Sequence, residues 1–351
     1  MDARQAKPKM LPYNYDNEES YLGLPDINWF ENCILQYIVG QDAQVRQIIT
    51  AIYKSRKLNP PIKSNILIVG GSGTGKTATI EEIAKRANIP YTIEDATEYT
   101  KEGYVGSSVK KMMYNLIACA NGDIQRAQKG IIVIDEIDKK VNKTKEEDVS
   151  GTDVLMSLLK IIEGTRMQLT YGSGEISFNT KNIIVICTGA FSGLEKIRDK
   201  RLGKNTIGFD TKSDSSKKSS KRNERFLKTD FVEYGMPEEF IGRFDTIVEM
   251  NKLDKQDLVN ILKKSKLSIL KQYGVALKKR KIKLQYTQFF LEKVADESLS
   301  LDTGARELKS TVNYVFENIM YEIFANPSIT YRKCIVTAET VEDNTKYLLL
   351  P

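Results

Sequence analysis

Short runs of unbroken aliphatic residues alternate along the first part of the chain with stretches whose apolar positions recur every three to four residues. The runs are Ile66–Val69, 131–134 and 183–187. Aliphatic runs with no polar alternation mark strands buried on both faces. Val45, Ile48, Ile49 and Ile52 fall on one face of a 3.6-residue period, which predicts a helix ahead of the first run. A second helix is predicted after it, over about 78–87. Strands interleaved with helices imply a three-layer α/β domain around a parallel sheet. Near Asn251 the texture changes and the remainder reads as mostly helical. Leu308, Val312, Val315 and Ile319 share one stripe there, and Lys333–Val336 reads as a late strand. The expected organisation is a polar extension over 1–27, a large α/β domain over 28–251 and a smaller α-rich domain over 252–351.

The first run breaks into Gly70-Gly71-Ser72-Gly73-Thr74-Gly75-Lys76-Thr77, which is the P-loop spacing of glycine, four residues, then Gly-Lys-Thr. Glycines let the backbone turn so that its N–H groups face a polyphosphate. Lys76 has the reach for the β/γ-phosphates and the Thr77 hydroxyl the chemistry to ligate Mg²⁺. The helix that follows adds its positive dipole end to the same anion site. Gly71, Ser72, Gly73, Thr74, Gly75, Lys76 and Thr77 are therefore candidate contacts for a nucleoside triphosphate.

The second run ends in Asp135-Glu136. At the end of a central strand, Asp135 is placed to hold Mg²⁺, and Glu136 to polarise a water for attack on the γ-phosphate. Without a P-loop upstream the same two letters would read as solvated strand-end acids. Phosphoryl transfer to a substrate hydroxyl has no need of a water-activating glutamate, so hydrolysis of ATP is the favoured chemistry.

Composition narrows the rest. A chain of 351 residues can bury one large and one small core. Charged residues make up 28%, and no apolar run approaches the roughly 20 residues that span a bilayer. Residues 1–17 are polar with two prolines, so no secretory signal is expected. The four cysteines, Cys33, Cys119, Cys187 and Cys334, form no Cys-x-x-Cys pair, and there is no histidine. A zinc site is not expected, and reduced thiols of a cytoplasmic protein are the default. The net charge of +7 has a local source in residues 200–228, rich in Lys, Arg and Ser. That stretch reads as a solvated loop before it reads as a nucleic-acid surface, and neither a membrane nor a nucleic-acid partner is expected.

Four further stretches carry a resemblance: Gly103-Tyr104-Val105-Gly106, Glu239-Phe240-Ile241-Gly242-Arg243, Thr303-Gly304-Ala305-Arg306 and Ile207-Gly208-Phe209. Shorter echoes lie between them, among them Val39-Gly40-Gln41, Asp95-Ala96-Thr97, Glu163-Gly164-Thr165 and Gly189-Ala190-Phe191. In this order, over roughly 25–325, they make the chain resemble the ClpX-type AAA+ protein unfoldases of the Clp/HslU branch. The HslU unfoldases share several of these motifs. They carry a large insertion between the two nucleotide motifs for which this chain has no room, and they lack the Ile-Gly-Phe loop.

The resemblance implies a homohexameric ring that hydrolyses ATP and threads unfolded or tagged proteins through its pore into a ClpP-like peptidase. It implies that Tyr104 and Val105 grip substrate in the pore, and that Ile207, Gly208 and Phe209 dock the peptidase. Arg243 matches the arginine finger acting on the nucleotide of a neighbouring subunit, and Arg306 the second sensor on a helix of the smaller domain. Thr188 is the candidate first sensor. Ile38 and Val39 match the adenine-contacting segment, though buried core aliphatics would look the same. Two departures stand out. The family's N-terminal zinc-binding domain has no counterpart among these residues. The short loop over 166–175 lacks the family's Arg-Lys-His element at the pore entrance. A chaperone that remodels complexes without a peptidase remains open on the sequence, as does, more remotely, a DNA-remodelling motor, which would want basic pore loops.

Overall fold

The aliphatic runs become neighbouring strands of one sheet. The computed structural model describes residues 24–99, 105–141, 149–172, 174–203, 224–301 and 304–351. Its first elements are α1 (Ile27–Ile34), α2 (Asp42–Lys57), β1 (Ile66–Val69), α3 (Lys76–Arg86), β2 (Tyr91–Asp95), α4 (Val105–Cys119), α5 (Ile124–Ala127) and β3 (Ile131–Asp135). These are followed by α6 (Val149–Glu163), β4 (Arg166–Tyr171), β5 (Gly174–Asn179), β6 (Ile184–Gly189), α7 (Leu194–Arg201), α8 (Lys228–Tyr234), α9 (Glu238–Gly242) and β7 (Thr246–Glu249). The main sheet has the order β2-β3-β6-β1-β7, with every pairing parallel.

Strand side chains alternate between faces, and the two faces feed two cores. Leu67, Val69, Ile132, Ile134, Val185 and Cys187 enter one core with residues of α4 and α6. Ile66, Ile68, Ile131, Val133, Ile184 and Ile186 enter the other, against Val45, Ile48, Ile49 and Ile52 of α2 and Ile80 and Ile83 of α3. Both faces being covered, these side chains are apolar on either side, and the sequence shows an unbroken run up to the strand ends.

The C-terminal part comprises α10 (Lys255–Lys264), α11 (Ile269–Lys279), β8 (Lys283–Tyr286), α12 (Gln288–Ser300), α13 (Ala305–Ala325), β9 (Lys333–Val336), α14 (Ala338–Glu342) and β10 (Leu348–Leu350). Its core is built from residues at and beyond Leu253, with Leu308, Val312, Val315 and Ile319 of α13 buried in it. A small sheet, β10-β9-β8, lies beside the helices. Among the described residues no helix is long and apolar enough to cross a membrane.

Two expectations change. The loop expected over 166–175 is an antiparallel hairpin of β4 and β5, with Leu169 opposite Ile176 and Met167 opposite Phe178. Leu169 and Phe178 are buried while Gln168 and Thr170 are exposed, the alternation of a strand pair with one wet face. The solvated loop expected from residue 200 does not begin there. Lys200 and Arg201 belong to α7 and pair with Glu233 at 3.0 Å and Asp230 at 2.6 Å. Residues 204–223 of that basic stretch lie outside the described residues, and Lys228, at its end, opens α8.

Asn65 ties down the edge of the sheet where β1 begins. Its side-chain amide donates to the carbonyls of Ile162 and Arg243, both at 3.3 Å, and its Oδ1 accepts from the Val185 N–H at 3.2 Å. Asn65 is 5% exposed, so water cannot replace these partners. Asn65→Ala is expected to lower the stability of the sheet-bearing part by about 2–4 kcal/mol, since each orphaned buried polar group costs about 1–3 kcal/mol. Urea unfolding followed by far-ultraviolet circular dichroism checks this; an unchanged midpoint would contradict it.

Candidate nucleotide site

Parallel pairing sets the ends of three central strands side by side. Ile68 is in register with Thr188 and Val69 with Gly189, while β3 flanks β6 on its other side. The P-loop leaves this edge, where open α/β sheets bind ligands. Its backbone is fixed by internal bonds: the Gly70 N–H donates to the Gly189 carbonyl at 3.2 Å, the Thr74 hydroxyl to Gly71 at 2.9 Å and the Thr79 hydroxyl to Gly75 at 2.7 Å. Gly75 caps α3 at φ +90°, a left-handed conformation that suits glycine. Lys76 Nζ donates to the Gly70 and Gly71 carbonyls at 2.6 and 2.9 Å. Burial holds its ammonium below the usual lysine range, opposed by Asp135 and Asp138, with Arg306 adding to the depression. Arg306, from the C-terminal part, thus lies within the electrostatic field of Lys76.

The Asp135 carboxylate joins three groups. Its Oδ2 accepts from the Thr77 hydroxyl at 3.0 Å; its Oδ1 accepts from the Glu136 N–H at 2.9 Å and from the Thr188 hydroxyl. Thr188 is wholly buried, so its hydroxyl is held against Asp135 rather than hydrated. Glu136 is exposed and sits at φ +55°, ψ +34°. A non-glycine residue there costs about 1–3 kcal/mol and persists only where its surroundings enforce it, a feature that clusters at functional sites. Thr77 and Asp135 are hard oxygen donors held together beside a phosphate-binding loop, a set that fits a small divalent cation.

One neighbour of these residues was not legible as a site residue. Asp138, 7% exposed, accepts from the Phe191 N–H at 3.0 Å through Oδ2. Its Oδ1 has no hydrogen-bond partner among the described residues. In the sequence it reads as part of a polar Asp-Lys-Lys turn; only the 3₁₀ turn over Ile137–Lys140 returns it beneath the strand ends.

The other side of the loop is closed by residues distant in sequence. Gly304, which precedes α13, has φ +58° and ψ −139°. A Cβ on it would stand 3.2 Å from the carbonyl oxygens of both Ser72 and Gly73. The next residue, Ala305, donates its N–H to the Gly73 carbonyl at 3.1 Å. The first turn of α13 therefore rests directly on the P-loop, and Arg306 is its second residue. Gln41, fully buried, donates to the Thr74 and Asn251 carbonyls at 3.2 and 2.9 Å and accepts from the Asn251 N–H at 2.9 Å. Ile38 packs into the core shared with α2 and α3, and Val39 beside it is half-buried.

Lys76, Thr77, Asp135, Glu136, Thr188 and Arg306 thus gather at one edge of the sheet. Arg243 does not join them. Its carbonyl is bonded to Asn65, just before β1, and Glu163 pairs with its guanidinium at 2.5 Å. The four residues of β1, at about 3.3 Å each, separate it from its own P-loop. Tyr104, Ile207, Gly208 and Phe209 lie outside the described residues, and Val105 opens α4.

A P-loop at the carboxyl edge of such a sheet, closed by a separate helical part, makes this chain a nucleotide-binding ATPase of the AAA class. Residues 62–247 match the family described as AAA domain (Cdc48 subfamily), and residues 253–337 match the C-terminal, D2-small domain, of ClpB protein. The chain is similar to the ATP-dependent Clp protease ATP-binding subunit ClpX of Borrelia duttonii and of Borrelia recurrentis. Each is 36% identical over 340 residues, covering 91% of this chain and 79% of theirs. The protein of the same name from Treponema denticola is 36% identical over 323 residues, covering 86% and 77%. The chain belongs to the ClpX family.

The seating of α13 generates a direct expectation. Gly304→Ala places a methyl against two loop carbonyls in a conformation alanine resists, a strain of about 1–3 kcal/mol. The dissociation constant for ATP should rise about tenfold, the equivalent of about 1.4 kcal/mol. Gly242→Ala, with open space around its Cβ position, serves as the control. Titration with a fluorescent ATP analogue checks this, and equal affinities in both variants would contradict it.

Proposed function

We propose that this chain is the ATPase subunit of a Clp-type protease, a protein unfoldase that works as a homohexameric ring and delivers unfolded or tagged proteins to a ClpP-like peptidase. The observation that carries the reading is the bond from Ala305 to the Gly73 carbonyl. A triphosphate on the loop would meet the sheet through Lys76 and the C-terminal part through Arg306. Hydrolysis would then change the relative angle of residues 28–251 and 252–351, which we take as the two moving bodies, and that angle would be the power stroke.

In this reading the backbone over 71–77 and Lys76 hold the phosphates, and Ile38 and Val39 border the adenine. Thr77 and Asp135 would hold Mg²⁺, which supplies charge neutralisation at the phosphate oxygens. Glu136 accepts the proton of the attacking water, and Thr188 holds Asp135 in register with it. Arg243 belongs to the neighbouring subunit's site. Its place at the far edge of its own sheet supports action in trans, where such a guanidinium is worth on the order of 10³–10⁵ in rate. Tyr104 and Val105 supply an apolar grip that accepts any side chain, and Ile207, Gly208 and Phe209 insert into clefts of the peptidase. Six such loops on one ring raise the effective concentration of each successive contact.

Mixed rings test the trans arrangement. Arg243→Ala and Lys76→Ala should each be inactive alone. Rings assembled from both should recover part of the ATPase wherever an intact P-loop meets an intact Arg243. Absence of recovery at every mixing ratio would contradict the assignment.

A further inference from the structure

The edge strand β2 carries a buried carboxylate that the nucleotide chemistry does not use. Glu94 is 5% exposed, and among the described residues no lysine or arginine pairs with it. Three neutral donors hold it instead. Its Oε1 accepts from the Thr92 hydroxyl at 2.6 Å and from the Asn115 side-chain amide at 2.9 Å, and its Oε2 accepts from the Tyr99 hydroxyl at 2.8 Å. Tyr99 is itself buried, and its phenol is pushed above the usual tyrosine range by burial first and by the bond to Glu94 second. A buried carboxylate left without donors would carry a large desolvation penalty, so the four side chains form one interdependent unit.

The position of this unit gives it meaning. Tyr99 is the last described residue before 100–104, and Asn115 lies on α4, which begins at Val105. One carboxylate therefore binds the chain on both sides of the segment containing Tyr104. At its other end Glu94 adjoins Asp95, which is in register with Asp135 across the β2–β3 pairing. Asp95 in turn caps the Ala96–Glu98 turn through the Thr97 N–H at 2.8 Å. Lys140, in the turn that follows Glu136, donates to the Thr97 carbonyl at 3.3 Å. Two bonded routes thus run from the Asp135-Glu136 strand end to the stems of that segment. Apolar packing alone would hold the stems without fixing their direction, because it is non-directional. Three hydrogen bonds converging on one carboxylate fix both distance and angle.

We propose that Glu94 is a positioning residue of the motor, clamping both stems of the substrate-gripping segment to β2 so that displacement at the nucleotide reaches the substrate rather than being lost as slack. The proposal rests on the reading of Tyr104 as the gripping residue. Glu94 touches neither nucleotide nor substrate, so its loss separates the cost of unfolding from the rate of hydrolysis.

The test measures basal ATP turnover and the number of ATP molecules consumed per molecule of green fluorescent protein unfolded, the probe carrying an unfolded casein tail. Tyr99→Phe keeps the ring and removes one bond. Glu94→Ala removes the hub. Glu94→Gln retains an acceptor for Thr92 and Asn115 and can donate to the Tyr99 oxygen. Tyr99→Phe and Glu94→Ala should leave basal turnover within about twofold and raise the ATP cost about twofold to thirtyfold, the range over which intervening residues modulate coupling. Glu94→Gln should restore most of the loss, and Tyr99→Phe should add little to Glu94→Ala. An unchanged ATP cost in Tyr99→Phe and Glu94→Ala, with unfolding abolished in Tyr104→Ala, would overturn the proposal while sparing the gripping role. Undiminished unfolding by Tyr104→Ala would overturn the gripping role itself. If Glu94→Ala fails to fold, Tyr99→Phe alone decides.

Discussion

The carbonyl edge of the phosphate loop is held in part by Ala305, from the far end of the chain, and much of the molecule is arranged around that contact. A P-loop turns its N–H groups toward phosphate, which leaves its carbonyls facing away and in need of donors. Lys76 takes those of Gly70 and Gly71, Gln41 takes that of Thr74, and Ala305 takes that of Gly73. One of these donors, Ala305, begins α13 and so bridges to the C-terminal part, while Gln41 ties the loop to Asn251, just ahead of that part. Satisfying the loop's own backbone therefore seats the second half of the protein on the nucleotide site. Gly304 makes the approach close enough, since any larger residue would meet the Ser72 and Gly73 oxygens.

A second constraint comes from the sheet. Because β1, β3 and β6 run parallel and are buried on both faces, all chemistry they carry is pushed to their ends. At one end lie the P-loop, Asp135, Glu136 and Thr188. At the other lie Asn65, Arg243 and Glu163. A residue at one end cannot serve the site at the other end of the same sheet. On the proposed reading this is why hydrolysis belongs to an interface between subunits rather than to a single chain. The left-handed backbone of Glu136 and the Asp138 Oδ1, without a partner among the described residues, both lie at the carboxyl end, and strain of this kind clusters at functional sites.

The sequence made three strands of the main sheet, though not β2 or β7, and part of the candidate site legible, for reasons that can be stated. Strands buried on both faces are apolar along their middles, so β1, β3 and β6 announced themselves, and the P-loop has a spacing that few other structures need. The stripe on α13 was visible because a helix with one buried face repeats every 3.6 residues. The hairpin β4–β5 was hidden by its polar wet face, and β8 and β10 by lying largely exposed at the rim of the small sheet, with no buried face to impose a pattern. Gln41, Asp138 and Gly304 were hidden differently: each acts through contacts with residues far away in sequence, and nothing local distinguishes a glutamine that bonds a P-loop carbonyl from one in solvent. The Glu94 unit is of the same kind, since Thr92, Glu94, Tyr99 and Asn115 acquire a shared purpose only when β2 and α4 are brought together.

The central claim is that nucleotide couples the two parts of the chain through the start of α13. Spin labels at exposed Lys57, at the end of α2, and Lys278, at the end of α11, report their separation by pulsed electron resonance once Cys33 and Cys119 are replaced by serine. In a Glu136→Gln background, adding ATP should shift and narrow the distance distribution. With Arg306→Ala added, ATP should still bind through Lys76, but the shift should vanish. The same ATP-induced shift with and without the Arg306 guanidinium would contradict the account.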